Sequence, residues 1–418
     1  MGITFNSPHL RGAALAAAAL MVTLACGTTQ GTTTTTPSNA PGVTDKEILI
    51  GTTMPLSGSA SAYATIAKGE QAYFAYINDK GGVNGRKINQ KVVDDGYDPA
   101  RTVPLVRQLV TQDNVFAMFQ TLGSPPNLAI RQYLNDQKVP HLFVATGAST
   151  WGADYKQYPW TIGWQPDYVS ESKIYAKDIL KSHASAKIGV LYQNDIYGKD
   201  YVVGLKAGLA DKYASMVVDE ETYEATAADV FSQVGAMKAK GVDLVFIVAT
   251  PKFAAQAMKQ MGTLNWKPAI YMNSVSNQVP TMKNGGAAAE GSTSVVYLKD
   301  PNDNAKWGND AGIKLYRDIM NKYCAAPCDQ TDGNYVYGMA VAWTFVEVVK
   351  KMGSTLTRDN LMAKARSMNF NNNPWLLPGI SLNTAGSNQF PITQEALEHW
   401  STSTGAWTVD SAIINARG

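Results

Sequence analysis

Among 418 residues there are only three cysteines and four histidines. The histidines, at positions 9, 141, 183 and 399, are scattered, so no cluster has the spacing of a zinc site or of a nucleophile–histidine pair. G-x-S-x-G, a P-loop, H-E-x-x-H and the Rossmann glycine fingerprint are missing as well. These absences lead us to expect a protein that is no enzyme and carries neither metal nor cofactor. Excess charge is also lacking: 36 Lys+Arg against 34 Asp+Glu leave a formal net charge of +2. That near-balance gives no electrostatic reason to expect nucleic acid, and no basic run suggests a membrane-surface helix. Beyond the first 25 residues no apolar stretch approaches the ~20 residues of a spanning helix.

What the chain does have begins at its start. Arg11 precedes an unbroken apolar run, "GAALAAAALMVTLA" (12–25), which reads as an export signal. Ala25 before Cys26 resembles the lipobox of bacterial lipoproteins, in which the leader (1–25) is removed and the cysteine is acylated; secretion with an incidental cysteine is the plain alternative. Residues 27–42, rich in Thr, Gly, Ser and Pro, offer almost nothing to bury, so a flexible tether over 26–44 is expected, with a coil span of about 20 Å. Cys324 and Cys328, four apart with a proline between them after a helical stretch, are expected to form a local disulfide outside the cytoplasm.

From about residue 45 the chain is too long for one core of ordinary size, and two lobes are the expectation. Short β-rich runs alternate with amphipathic ones: "EILIGTT" (47–53), "KINQKVVDD" (87–95), "VFAMFQ" (115–120) and "HLFVAT" (141–146), with helical segments between. Such alternation predicts an α/β fold with a parallel sheet covered on both faces. The pattern restarts after "YPWTIGWQPD" (158–167) with "KIGVLYQ" (187–193), "SMVVDEETY" (215–223), "DLVFIVA" (243–249) and "AIYMN" (269–273). "STSVVYL" (292–298) and the helical runs at 305–322 and 334–352 read as a return to the first lobe, and 371–382 and 407–415 as short strands of the second. The expected division is 45–165 plus 292–370 for the N-lobe and 166–291 plus 371–418 for the C-lobe.

The segment "INDKGGVNGRKINQKVVDDGYDP" (77–99) is a helix stop, a tight Asn84-Gly85 turn and a strand ending in Asp94-Asp95. As a string it resembles the periplasmic solute-binding proteins of the branched-chain amino acid (Leu/Ile/Val) type. "GTTMPLSGSASAY" (51–63), "DNVFAMFQTLGS" (113–124), "VPHLFVATGAST" (139–150) and "NDIYGKD" (194–200) stand in the order the family would give them. The resemblance implies two Rossmann-like lobes of the type I, Venus-flytrap kind. A three-segment hinge would join them near 164–167, 290–294 and 368–375. It further implies a monomer that closes on a small molecule and presents it to an ABC permease from the outer face of the membrane, anchored by lipid on Cys26. A lipoprotein that reports the same ligand to a signalling receptor is the alternative.

Ligands of open parallel sheets sit beyond the carboxyl ends of the strands, where helix N-termini and loop amides converge. The loops 55–63, 121–127 and 145–150 are therefore expected at the cleft. They bring Ser57 and Gly58, Tyr63, Gly123 and Ser124, and Thr146, Gly147 and Ala148, whose amides and hydroxyls would hold a carboxylate without a countercharge. By the family pattern Tyr63 would lie against the ligand and Tyr197 would close over it, although both also read as packing aromatics. Glycines and serines in loops are, in the same way, usually turn formers. Trp151 is expected at the cleft rim and Trp164 near the lobe junction.

The loop "NSVSNQ" (273–278) lacks the acid that accepts the ligand ammonium in amino-acid binders, and Ala249 and Thr250 replace an aromatic. Asn273 is kept as a candidate, and Asp195 either substitutes for the missing acid or caps a helix. A small carboxylate or amide with an apolar or aromatic body is the expected ligand.

Overall fold

In the computed structural model, residues 1–2 and 40–417 are described, nearly all within one unit, Asn39–Gly418. Residues 3–39, which hold nearly all of the expected leader, the expected lipidation site Cys26 and most of the expected tether, lie outside the described residues.

β1 (Glu47–Met54) is buried almost throughout, as a strand covered on both faces must be. It pairs in parallel with β2 (Lys87–Asp94) on one side and β3 (Ala117–Phe119) on the other. β4 (His141–Val144) and β5 (Thr161–Gly163) extend the sheet to the order β2-β1-β3-β4-β5. Helices α1 (Ala64–Asp79), α2 (Pro99–Thr111) and α3 (Ser124–Asp136) connect the first four strands, and the short α4 (Thr150–Ala153) precedes β5. Strand order reverses between β2 and β3 around β1, which makes the carboxyl ends of β1 and β3 the switch point.

The chain then crosses at residues 164–167 into α5 (Tyr168–Ser182) and repeats the plan. β6 (Ile188–Gln193), followed by α6 (Ile196–Leu209), lies between β7 (Val217–Tyr223) and β8 (Leu244–Val248), and β9 (Ala269–Met272) and β10 (Thr293–Val296) follow on the β8 side. These five parallel strands have the same relative order as the first sheet. β11 (Asn369–Phe370) pairs only with β12 (Leu382–Asn383), whereas β13 (Gln394–Ser401), β14 (Ala406–Val409) and β15 (Ile414–Asn415) complete the second sheet antiparallel to β10 and to one another.

Three expectations are corrected. The run at 292–298 does not open the return to the first lobe: β10 pairs with β9 and β13, so the chain leaves the second sheet after Val296. Residues 371–382 give the second sheet no strand, because Trp375, Leu376, Leu377 and Leu382 are buried in the first lobe's core. The third crossing accordingly falls at 384–393, between β12 and β13, and not at 368–375. β5 and β13 are strands that the sequence pattern did not reveal.

The first lobe's core is organised by α1 against the long helix Gly333–Met352. They cross at two glycines: a Cβ on Gly69 would sit 2.5 Å from the Tyr335 carbonyl, and one on Gly338 would overlap the Ile66 carbonyl. Phe74, Phe119, Phe143 and Phe345 meet one another in tilted and edge-to-face pairs in the same core. At the first hinge segment Trp164 donates its indole N–H to Thr344 Oγ1 (3.0 Å) and meets Tyr297 of the second segment edge-on. Trp151 is buried against Val144 and Ala148 with Ile196 of the second lobe packed on it, so it sits within the seam between the lobes and is not exposed at a rim. Cys324 and Cys328 form a disulfide after the helix Ala311–Tyr323. Among the described residues no helix is long and apolar enough to cross a membrane, and no group of three or more His, Cys, Asp or Glu is placed to hold a metal ion.

Candidate functional site

The two lobes meet across a cavity of about 110 Å³. They are closed on it. Ser59 Oγ donates to the Ala225 carbonyl (2.9 Å), Gln193 Nε2 to the Tyr97 hydroxyl (3.3 Å) and the Ser149 N–H to Asp200 Oδ2 (2.7 Å), each bond joining one lobe to the other.

On the first lobe's wall, Gly123 ends the β3 loop at φ 96°, a conformation that favours glycine, and a Cβ there would also strike the Tyr97 ring at 2.5 Å. Behind it Asn127 Nδ2 donates to the Thr121 and Gly123 carbonyls (2.8 Å each), and Asn127 Oδ1 lies 2.7 Å from His141 Nε2. Burial, with repulsion from Arg131, holds His141 neutral, down at about 3. This buried network fixes the turn that presents Ser124, whose Oγ lies 2.5 Å from Thr146 Oγ1. The start of α3 is a poorer anion seat than its position suggests, because Pro125 and Pro126 remove two of the N–H groups a helix N-terminus normally offers. Donors must therefore come from side chains.

Six tyrosines, Tyr63, Tyr97, Tyr168, Tyr197, Tyr297 and Tyr337, line the cavity, of which Tyr337 already donates its proton to Gln165 Oε1 (3.0 Å). Asn273 Nδ2 donates to the Tyr197 hydroxyl (2.6 Å), and Gln193 Nε2 to that of Tyr97. Each phenol oxygen thus already accepts a bond from the protein and keeps its own proton to give. Burial, reinforced by neighbouring ionisable groups, pushes both well above the usual phenol range, so they remain donors. Ile66, Leu122, Val275, Val295 and Val336 furnish apolar wall. Lys299, Asp300 and Glu398 are the charged lining residues, and the Lys299 ammonium is turned to Asp310 (2.8 Å) and the Pro374 carbonyl (2.9 Å).

Of the residues singled out in the sequence, Tyr63, Gly123, Ser124, Thr146 and Tyr197 line this one cavity. Ser57 and Gly58 do not. Asp94 draws their loop onto the end of β2, accepting from the N–H groups of Leu56 (2.9 Å), Ser57 (3.2 Å) and Gly96 (2.9 Å) and from Ser57 Oγ (2.6 Å). Gly147 and Ala148 border a small neighbouring pocket, where Gly147 makes room for Pro166 and Tyr168 at the first crossing. Asp195 is a helix cap: its Oδ1 accepts from the N–H of Tyr197 (2.8 Å) and Gly198 (3.4 Å) at the start of α6. Asn273 stands behind Tyr197 and not on the wall.

The sequence reading missed Tyr97, Tyr168, Gln165, Asn277, Trp407 and Glu398. Tyr97 was legible in principle, since "DDGYDP" sets it directly after the acidic pair that ends β2.

A sequence profile described as periplasmic binding protein matches residues 47–393. The Leu/Ile/Val-binding protein homolog 1 of Brucella suis biovar 1 (strain 1330) is 25% identical over 283 residues, covering 65% of this chain and 72% of that protein. Two solved structures share the fold at lower identity. The fatty acid ABC transporter substrate-binding protein from Thermomonospora curvata superposes with a TM-score of 0.76 at 22% identity, over 91% of this chain and 95% of that one. A branched-chain amino acid ABC transporter structure from Thermus thermophilus with bound valine gives 0.77 at 16% identity, over 89% and 97%.

Proposed function

The chain belongs to the periplasmic binding protein family, a family of extracytoplasmic solute binders, and from that premise we propose that it captures a small carboxylate- or amide-bearing molecule with an apolar or aromatic body and hands it to an ABC permease. The observation that carries this reading is the cavity wall. Hydroxyls from both lobes, those of Tyr197, Tyr97, Ser124 and Thr146, meet apolar side chains there, and no cationic head faces inward. A carboxylate needs hydrogen-bond donors more than it needs a countercharge. Valine and a fatty acid, named for two of the similar proteins, both carry that group. An α-amino acid is disfavoured because the loop 273–278 brings no acid beside Tyr197 and Asp195 is occupied as a cap. Attachment to the membrane through lipid on Cys26 belongs to the same proposal and rests on the leader sequence.

A thermal-shift screen tests it, with branched-chain and aromatic amino acids, their deaminated counterparts and short amides. At about 100 times its dissociation constant a true ligand adds ~2.7 kcal/mol of stability. Deaminated acids or amides are expected to lead; leucine-like amino acids at the head of the ranking would contradict the ligand class.

A further inference from the structure

The cavity has a second polar wall that the carboxylate reading leaves unused. Glu398 projects from β13 beside the loop that follows β9, and Asn277 Nδ2 donates to its Oε1 (2.8 Å). Its other oxygen has no hydrogen-bond partner among the described residues, although the side chain is 1% exposed and lines the cavity. Asp300, just past β10 on the second hinge segment, lines the same wall. Its Oδ1 is held by the Asn302 N–H and Nδ2 (2.8 Å each), while Oδ2 is buried with only a weak approach from the Trp407 backbone N–H and no hydrogen bond of standard geometry. Trp407 closes this wall, its indole N–H donating to the Asn277 carbonyl (2.7 Å). The one cation among the lining residues, Lys299, faces Asp310 instead.

Two carboxyl groups, each with an unclaimed oxygen, therefore border a space with nothing positive in it. Burial and then repulsion from Asp300 push Glu398 well above the usual carboxylate range, and burial raises Asp300. Left alone, such a pair takes up protons; a bound cation would supply the missing charge.

We propose that Glu398, with Asp300 and Asn277, forms a subsite for a protonated amine on the ligand, set in the second lobe and the hinge apart from the first-lobe hydroxyls of Ser124 and Thr146. The inference rests on the proposed carboxylate reading and sharpens it: the preferred ligand is an acid that carries an amine away from its carboxylate. Glu398 does not replace the acid missing beside Tyr197: it comes from a strand more than a hundred residues later and meets the loop 273–278 at its other end, through Asn277.

The test is isothermal titration of the purified protein with matched pairs, hexanoate against 6-aminohexanoate and 4-methylbenzoate against 4-(aminomethyl)benzoate. The aminated member of a pair is expected to bind at least about tenfold tighter. Glu398→Gln keeps the side chain's shape and its bond to Asn277. It should abolish most of that preference while leaving the amine-free acid within about twofold, and Asp300→Asn should act in the same direction if Glu398→Gln does not fold. Thr146→Val should weaken both members of a pair alike. Acids that bind without any preference for the amine, or a preference that survives in both carboxyl variants, would overturn the inference and leave the carboxylate reading standing. If no acid of either kind binds the wild-type protein, the carboxylate reading falls and the inference with it.

Discussion

In the proposed reading the Tyr197 hydroxyl is a buried group set up to donate to a ligand. Asn273, 0% exposed, occupies its oxygen and so leaves its proton directed elsewhere. Tyr197→Phe removes that proton and keeps the ring. Affinity for the best ligand should drop by about ten- to hundredfold, the worth of a hydrogen bond to a charged group, with the binding enthalpy read by calorimetry. A second residue speaks to stability. Glu70 is fully buried in α1, bonded only through Gln90, with Oε1 unpartnered. Burial, partly offset by that bond, raises it from 4.5 to about 8. The folded state therefore holds a proton that the unfolded chain releases near 4.5, and the stabilisation present below that point is lost as pH climbs through about 8. Glu70→Gln should remove a loss on the order of 3 kcal/mol between about pH 5 and about pH 8, seen as a gap between variant and wild type in urea unfolding that widens with pH.

At the scale of elements, legibility followed burial pattern. β1, β6 and β8 were readable because parallel strands covered on both faces are apolar or β-branched runs bounded by turn residues, and β2, at the sheet edge, through the alternation of "KINQKVVD" after a tight turn. β5 is three residues of "TIG" closely framed by Pro159 and Trp164, too short for any period to show. β13, "QEALEHWS", reads as a surface segment, yet Glu395 and Glu398 are both buried in it. The same physics hid half of the site. Glycine–serine turns announce themselves locally, whereas Glu398 gains its place only when β13 docks antiparallel on β10, a pairing no spacing encodes. Ser57-Gly58 gave the opposite error, a good turn whose polar groups are spent on Asp94. Packing between elements yields its own prediction. Where α1 crosses the helix Gly333–Met352, Gly338→Ala would force the two apart, and a loss of about 1–3 kcal/mol in denaturant unfolding is expected.

For the whole molecule, two sheets of the same strand order face each other across a cavity and are bridged by Ser59–Ala225, Tyr97–Gln193 and Ser149–Asp200. The bridging hydrogen bonds are few, and Ile196 against Val144, Ala148 and Trp151 adds an apolar contact beside them, a small mixed interface of the kind that opens without its ligand. The hinge is stiffer: Trp164, from the first crossing, packs on the helix Gly333–Met352 through Thr344 and Tyr337, and Tyr297, from the second, packs on Trp164. Closure should therefore be a rigid rotation of one lobe on the other. The most direct measurement of this account is small-angle X-ray scattering with and without the best ligand of the screen. The expected result is an extended profile for the free protein that contracts, at saturation, to the one calculated from this closed structure. Identical profiles in the two states would contradict capture by lobe closure.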